Sequence, residues 1–435
     1  EIGSGLVGSE MCIRDSAYID HPAFGAAVVG RLLEAEGYRV AIVPQPNWRD
    51  DLRDFRKLGR PRLFFGVSPG AMDSMVNHYT AARRLRHDDA YTAGGRHGQR
   101  PDYPGIVYTR ILKELFPDVP VALGGIEASL RRVAHYDYWQ DRLRPPYLLD
   151  ATADILIYGM GERPVTELAR RLDQGEKISD ITDIAQTAFI APSGPVNGSP
   201  DIVLSSYEAC LKDKRKQAAN FKIVEVESNR MHGHVMWQQA QGKWIRINPM
   251  LPPMTSAELD SVYDLPYTRV PHPRYKGKTI PAYEMIRHSV TMHRGCFGGC
   301  AFCTISAHQG KFISSRSQQS ILKEVRQITG MADFKGYISD LGGPSANMYR
   351  MGGRDRSACE KCERPSCLHP KPCPNLDNDH RPLLDLYRKA SALPGIKKCF
   401  VGSGVRYDLA MAHNPDNRIN LSLIHISEPT RPEPI

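Results

Sequence analysis

Short apolar runs alternating with amphipathic ones are the feature that most narrows what this chain can become. Phe24 to Glu36 sets Phe24, Val28, Leu32 and Ala35 on one helical stripe and stops at Gly37. Arg39–Val43 then reads as a strand, Trp48–Leu58 as a helix and Arg62–Val67 as a strand. Tyr103–Phe116 reads as a helix and Val119–Leu123 as a strand. The strand Asp154–Tyr158 leads through Gly159 and Gly161 into a helix over Pro164–Leu172. Strands so short and so uniformly apolar are buried on both faces, which predicts a mostly parallel sheet between helices. The turns Gly124-Gly125 and Gly159–Gly161 fall at the carboxyl edge of that sheet, where such folds bind ligands. Neither is a G-x-G-x-x-G fingerprint, so no dinucleotide is expected there.

A second alternating series starts at about Arg287. Ser289–Met292, Gly336–Leu341 and Lys398–Val401 read as strands, with helices over Gln318–Thr329 and Arg381–Leu393. Three βα repeats of this kind predict part of a parallel barrel, whose chemistry sits at the carboxyl ends of its strands. Between the two series, residues 173–286 are rich in proline and aromatics and read as a linker or strap, with a basic helix over Tyr207–Phe221.

The first strand of the second series runs into Gly295-Cys296-Phe-Gly-Gly-Cys300-Ala-Phe302-Cys303, three thiols spaced C-x3-C-x2-C among three glycines. Thiolates this close can wrap one face of a compact metal centre, and glycines let the backbone turn tightly around it. The count of three is informative. A four-iron cubane held by three cysteines keeps one iron open to another molecule, whereas a structural zinc wants a fourth ligand, here His293 or His308.

With an aromatic just before the last cysteine, this loop resembles the signature of radical S-adenosylmethionine (radical SAM) enzymes. The surrounding HSVTMHRGCFGGCAFCTISAHQGKFISSRS is similar to the YgiQ family. So are GGIEASLRRVAHYDYW (Gly124 to Trp139), the segment Gly336 to Tyr349, and VGSGVRYDL (Val401 to Leu409). The likeness runs over roughly residues 17 to 415, far more than one motif supplies by chance. It implies a [4Fe-4S] cluster on Cys296, Cys300 and Cys303, whose open iron chelates the amino and carboxylate groups of S-adenosylmethionine. It implies reductive cleavage of that molecule to a 5′-deoxyadenosyl radical, which abstracts hydrogen from a substrate the sequence does not identify. An electron donor such as flavodoxin or ferredoxin follows. Asp340, Gly342 and Gly343 match the place where related enzymes set a glycine-rich turn against the methionyl amine, a plain tight turn being the other reading. Phe302 would shield the cluster or stack by the adenine, or simply pack. The first half resembles the cobalamin-binding-like domain that precedes the barrel in several such enzymes. Its D-x-H-x-x-G signature is absent, because Asp20-His21-Pro-Ala-Phe-Gly25 is off by one residue, so no cobalamin is expected.

A second group, Cys359-x2-Cys362-x4-Cys367-x5-Cys373, lies in a glycine-, arginine- and proline-rich insertion at 351–376. Four thiols within fifteen positions suit a closed site, structural zinc or an auxiliary cluster, with unligated cysteines as the third reading. Cys210 and Cys399 read as buried thiols. Seven of ten cysteines fall within 296–373, and an oxygen-sensitive cluster implies a reducing cytoplasm. No run approaches the length of a membrane helix. The formal charge of +9, with Arg83-Arg84-Leu-Arg86 and Lys212–Lys216, keeps a second class open: a zinc-stabilised nucleic-acid-binding or RNA-modifying protein.

The two ends, SEMCIRDS (Ser9 to Ser16) and LSLIHISEPTRP (Leu421 to Pro432), resemble translated adapter sequence, so 1–16 and 421–435 are set aside. The expected plan is a doubly wound, Rossmann-like domain at 17–172, the strap at 173–286, and a partial radical SAM barrel at 287–420. On this plan the chain is a fragment, its open half-barrel unstable alone and its activity in doubt.

Overall fold

The computed structural model describes residues 10–14 and 16–411. They form two compact units: one takes in the chain through Glu227 with His232–Leu251 and Pro266–Tyr283, the other Ser228–Met231, Pro252–Leu265 and everything from Glu284 onward.

The first unit is built on a nine-stranded sheet. Its strands are β1 (Glu10–Arg14), β2 (Val40–Pro44), β3 (Phe65–Ser68), β4 (Val121–Leu123), β5 (Ile155–Ile157), β6 (Thr187–Ala191), β7 (Ile202–Val203), β8 (Met236–Ala240) and β9 (Lys243–Ile247). They lie in the order β2-β1-β3-β4-β5-β6-β9-β8-β7. The first five in that order run parallel; β6, β9 and β8 continue as antiparallel pairs, and β7 closes the edge parallel to β8.

Alternation along the strands sorts side chains to two faces. Val121, Leu123 and Leu156 enter one apolar cluster with Tyr108 and Leu112 of helix α2 (Pro104–Leu115). Ala122, Ile155 and Ile157 enter another with Leu33 of α1 (Gly25–Ala35) and Val165 and Leu168 of α4 (Glu162–Asp173). Helices on both faces are what the uniformly apolar strands require. Between β4 and β5, Gly125 (φ +85°) turns the chain into α3 (Ile126–Arg131), and the wholly buried Glu127 accepts from the Ser74 amide at 2.9 Å and the Tyr147 hydroxyl at 2.6 Å.

Three features differ from the sequence reading. The region 173–286 is not a mere strap, because β6, β8 and β9 extend the sheet. Gln241 and Gly242 both take positive φ, the geometry of a tight hairpin turn between β8 and β9. Within Trp48–Leu58 only Arg53–Arg56 is helical; the Asp50 and Asp51 carboxylates instead accept from the amides of Leu52 and Arg53, a local turn that competes with helix. Glu10–Arg14, within the stretch set aside above, lies between β2 and β3.

In the second unit, β10 (Ser289–Thr291) pairs in parallel with β14 (Asp340–Gly342), register Thr291 to Gly342, and β13 (Tyr337–Ile338) with β17 (Lys398–Cys399). Backbone bonds from Leu341 to Phe400 and from Phe400 to Ile338 join them into three parallel strands. Helices α5 (Gln318–Thr329) and α6 (Arg381–Ser391) bury Ile321, Val325 and Leu386 against Val290, Ile338 and Cys399. These three strands and the two helices between them are those expected from the sequence. Two small antiparallel ladders close loops off this sheet: β11 (His293–Arg294) with β12 (Ser314–Ser315), and β15 (Gly352–Gly353) with β16 (Leu376–Asp377). Among the described residues, no helix is long and apolar enough to cross a membrane.

Candidate metal centre

Parallel strands place their carboxyl ends on one edge, and three loops meet at that edge of the second unit. The first leaves β11 and carries Cys296, Cys300 and Cys303. The second is the turn after β14, Gly342-Gly343. The third follows β17 and contains Gly402, Ser403 and Arg406.

The first loop is shaped by its glycines. Gly295 (φ +86°) lies so close to the Phe312 carbonyl that a Cβ has no room, and the Cys296 amide donates to the Gly310 carbonyl at 3.1 Å. Gly299 (φ +62°) would put a Cβ 2.7 Å from that of Ser366. At Gly298 a Cβ would collide with the Arg406 guanidinium and lie 3.4 Å from Cys296 Sγ. All three thiols are free and half-buried. Burial pushes the Cys296 thiol up, and the nearby Cys303 and Cys300 add to the rise, while the Gly298 backbone and Arg406 oppose it.

Arg406, from the third loop, is set against this loop. Its Nη1 donates to Cys300 Sγ at 3.0 Å, and its other nitrogens are held by Asp408. Its backbone is clamped on both sides by buried Asn347, which accepts from the Arg406 amide and donates to its carbonyl, each at 2.9 Å. Below the loop, His293 is fully buried. Its Nε2 lies 2.9 Å from the Ser345 carbonyl, which can only accept, so that nitrogen carries the proton. Burial takes its pKa down to about 4, and its Nδ1 is buried without a hydrogen-bond partner among the described residues.

The expected cofactor residues fare unequally. Asp340 Oδ1 accepts from the Gly402 amide at 2.9 Å and from the Ser403 amide and hydroxyl at 3.1 Å. It therefore binds the turns together, and burial raises its carboxyl against those bonds. A Cβ on Gly342 would strike Ser403 Oγ and one on Gly343 would lie 2.5 Å from His293 Nε2, so packing within the chain already accounts for both glycines. Phe302 is 90% exposed.

The second cysteine group sits against the first loop. Ser366 Oγ donates to the carbonyl of Gly298 at 2.8 Å, and the Cys367 amide to that of Phe297 at 3.0 Å. Cys296, Cys367 and Cys373 border one apolar cluster with Phe297, Met348 and Leu376. Burial raises the Cys367 thiol to about 11, with Lys311 pulling the other way and Cys373, Cys362 and Cys359 adding to the rise. Lys311 Nζ lies 3.5 Å from Cys362 Sγ and donates to the Arg364 carbonyl at 2.7 Å. Cys210 and Cys399 are buried, and burial raises each thiol.

Among the described residues, no three His, Cys, Asp or Glu side chains stand at the spacing of one bound ion. The first loop nonetheless suits a cluster in its chemistry: three soft donors on one turn, a fixed cation on one of them, and bare backbone at Gly298 where a side chain would intrude. Sequence reasoning missed Arg406, Lys311, Ser366 and Asn347. A signal existed for three of them, since Arg406 lies in VGSGVRYDL, Lys311 in the stretch around the three cysteines and Asn347 in Gly336 to Tyr349, all of which carry the family resemblance.

Comparison with known proteins bears on this arrangement. Residues 10–289 match the family model described as radical SAM N-terminal. A UPF0313 protein of Porphyromonas gingivalis is 65% identical over 405 residues, 93% of this chain and 64% of the relative. One from Bacteroides thetaiotaomicron is 60% identical over 418 residues, 93% of this chain and 67% of the relative. The chain thus spans about two thirds of the length of the curated relatives it matches. Two structures of the radical S-adenosylmethionine methyltransferase TsrM from Kitasatospora setae overlap loosely. One, with cobalamin and a [4Fe-4S] cluster bound, gives TM-score 0.41 at 18% identity, covering 77% of this chain and 48% of TsrM. The other, with tryptophan and a SAM analog, gives 0.38 at 15%, covering 75% and 46%. By its family match and these close relatives, the chain belongs to the radical SAM superfamily, within the UPF0313 (YgiQ) family.

Proposed function

We propose that this chain carries the cluster-binding part of a radical SAM enzyme, with Cys296, Cys300 and Cys303 as the three ligands of a [4Fe-4S] cluster. The observation that supports it best is the meeting of three loops at one carboxyl edge, with the guanidinium of Arg406 fixed 3.0 Å from Cys300 Sγ. When bound, such a cluster passes one electron to S-adenosylmethionine, whose cleavage yields a 5′-deoxyadenosyl radical. The protein's part is to hold and shield. The glycines let the loop close around three thiolates, Arg406 and Asn347 fix its far side, and Asp340 ties the two neighbouring turns into one floor. Phe302, exposed beside the last ligand, is the side chain we assign to cover the cluster or the adenine. Gly342 and Gly343 offer the methionyl group bare backbone.

The substrate is hydrogen-bearing and otherwise unassigned. We infer a small electron-transfer protein such as flavodoxin or ferredoxin as donor, and a reducing compartment such as the cytoplasm. An RNA substrate is the second reading, favoured by the exposed Lys214, Arg215, Lys216 and Lys222 along the helix Lys214–Ser228.

The test is anaerobic reconstitution with iron and sulfide, followed by chromatography of 5′-deoxyadenosine formed from S-adenosylmethionine and dithionite. We expect formation by the parent and none above background by C296A. Equal formation by both would remove the proposal.

A further inference from the structure

The most unusual charge in the second unit is Lys311. It is 1% exposed, and among the described residues no carboxylate pairs with it. Its ammonium has the Arg364 carbonyl at 2.7 Å and Cys362 Sγ at 3.5 Å, and it lies over the ring of Phe312. A buried ammonium needs an anion. Among the described residues beside it, the group able to supply one is a thiolate, that of Cys362.

We propose that Cys359, Cys362, Cys367 and Cys373 form a second, four-thiolate metal centre with Lys311 as its counter-ion, and that this centre seats the loop carrying Cys296 and Cys300. The claim rests on the reading above only for what the first loop holds. The β15–β16 ladder closes the insertion into a small ring, and the Cys362, Cys373 and Leu376 amides donate to the carbonyls of Cys359, Cys367 and Cys373. Gly353 leaves no space for a Cβ beside Cys359 Sγ, and Asn375 Nδ2 donates to that sulfur at 3.4 Å. Each thiol gives up its proton to solvent on binding. Four thiolates around a divalent ion, or around a four-iron core, leave net negative charge that a buried ammonium offsets. The four thiols do not stand at the spacing of one bound ion, so binding includes rotation of their side chains within the ring. Ser366 and Cys367 carry the consequence to the first loop, through their bonds to the carbonyls of Gly298 and Phe297.

The decisive protein is the whole chain with the first group removed, C296A/C300A/C303A, reconstituted anaerobically with zinc or with iron and sulfide. Elemental analysis is expected to find about one zinc or about four irons per chain, the iron form adding visible absorbance that zinc lacks. Further substitution, C362A/C373A, is expected to abolish that metal. A triple variant without metal, or a quintuple variant that keeps it, would overturn the centre; neither result touches the S-adenosylmethionine assay of the parent. K311M should release the metal to a chelator about tenfold faster, with K311R near the parent; an unchanged rate in K311M would remove Lys311 from the account. S366A, its melting curve checked against the parent, should keep the second metal and lose iron from the first loop faster. Equal loss would disprove the coupling.

Discussion

The two cysteine groups share one unit, one apolar cluster and one kind of donor, yet they are built differently. The first has three thiols on an open loop, with Phe302 bare beside the last of them and an arginine set on Cys300. The second has four thiols inside a ring closed by a ladder, with a lysine sealed beneath. Arginine presents a fixed fork, and Asp408 takes part of it, so a directional bond reaches one sulfur. Lysine offers a point charge, suited to a closed anionic core. On the two proposals above, ligand count and the kind of cation separate a centre that presents an open position from one that does not.

The comparison breaks first at the ligands. C300A should lose iron from the first loop and all S-adenosylmethionine cleavage while retaining the second metal, as elemental analysis and product chromatography would read. Loss of both metals together would mean the two groups are one site.

G299A tests the contact between the groups. The φ of +62° and a Cβ 2.7 Å from that of Ser366 should cost about 2–3 kcal/mol, read by denaturant unfolding. A stability equal to the parent's would show that the insertion does not press on the first loop. R406Q should lower cleavage by about tenfold and move the cluster's midpoint potential to more negative values in a redox titration, with R406K partway.

A further effect concerns acid. His293 is held neutral by burial, with a pKa of about 4 against 6.5 for the free ring. Between those values the unfolded chain takes up a proton that the folded chain refuses, so stability falls as pH falls through that window. At pH 5 the loss is about 2 kcal/mol. Denaturant midpoints at pH 7.5 and 5 should show it, and H293N should flatten the dependence.

The sheet of the first unit was legible because β2 to β5 are apolar on both faces, a pattern that allows few alternatives. Strands β8 and β9 were not. Met236–Ala240 mixes glutamines with Trp237, since Gln238 is buried but bonded to the Ala134 amide at 2.7 Å, so no alternation marks the strand. The cysteines could be found by spacing, but what surrounds them could not. Lys311 is eight residues beyond Cys303 and Arg406 more than a hundred beyond Cys300, and only the third strand's position brings Arg406 back to the loop. Asp340 was picked out as a cofactor residue on its place after a strand. Its bonds to Gly402 and Ser403 are a reason for an aspartate there that only tertiary structure reveals.

The central claim is that the first group leaves one iron open. Electron paramagnetic resonance of the dithionite-reduced protein, with and without S-adenosylmethionine, tests it most directly, using protein whose second group is loaded with diamagnetic zinc so that only the first centre contributes. We expect a reduced-cluster signal whose g-values shift when S-adenosylmethionine is added. A signal identical in both samples, from protein shown to contain about four irons, would contradict the account.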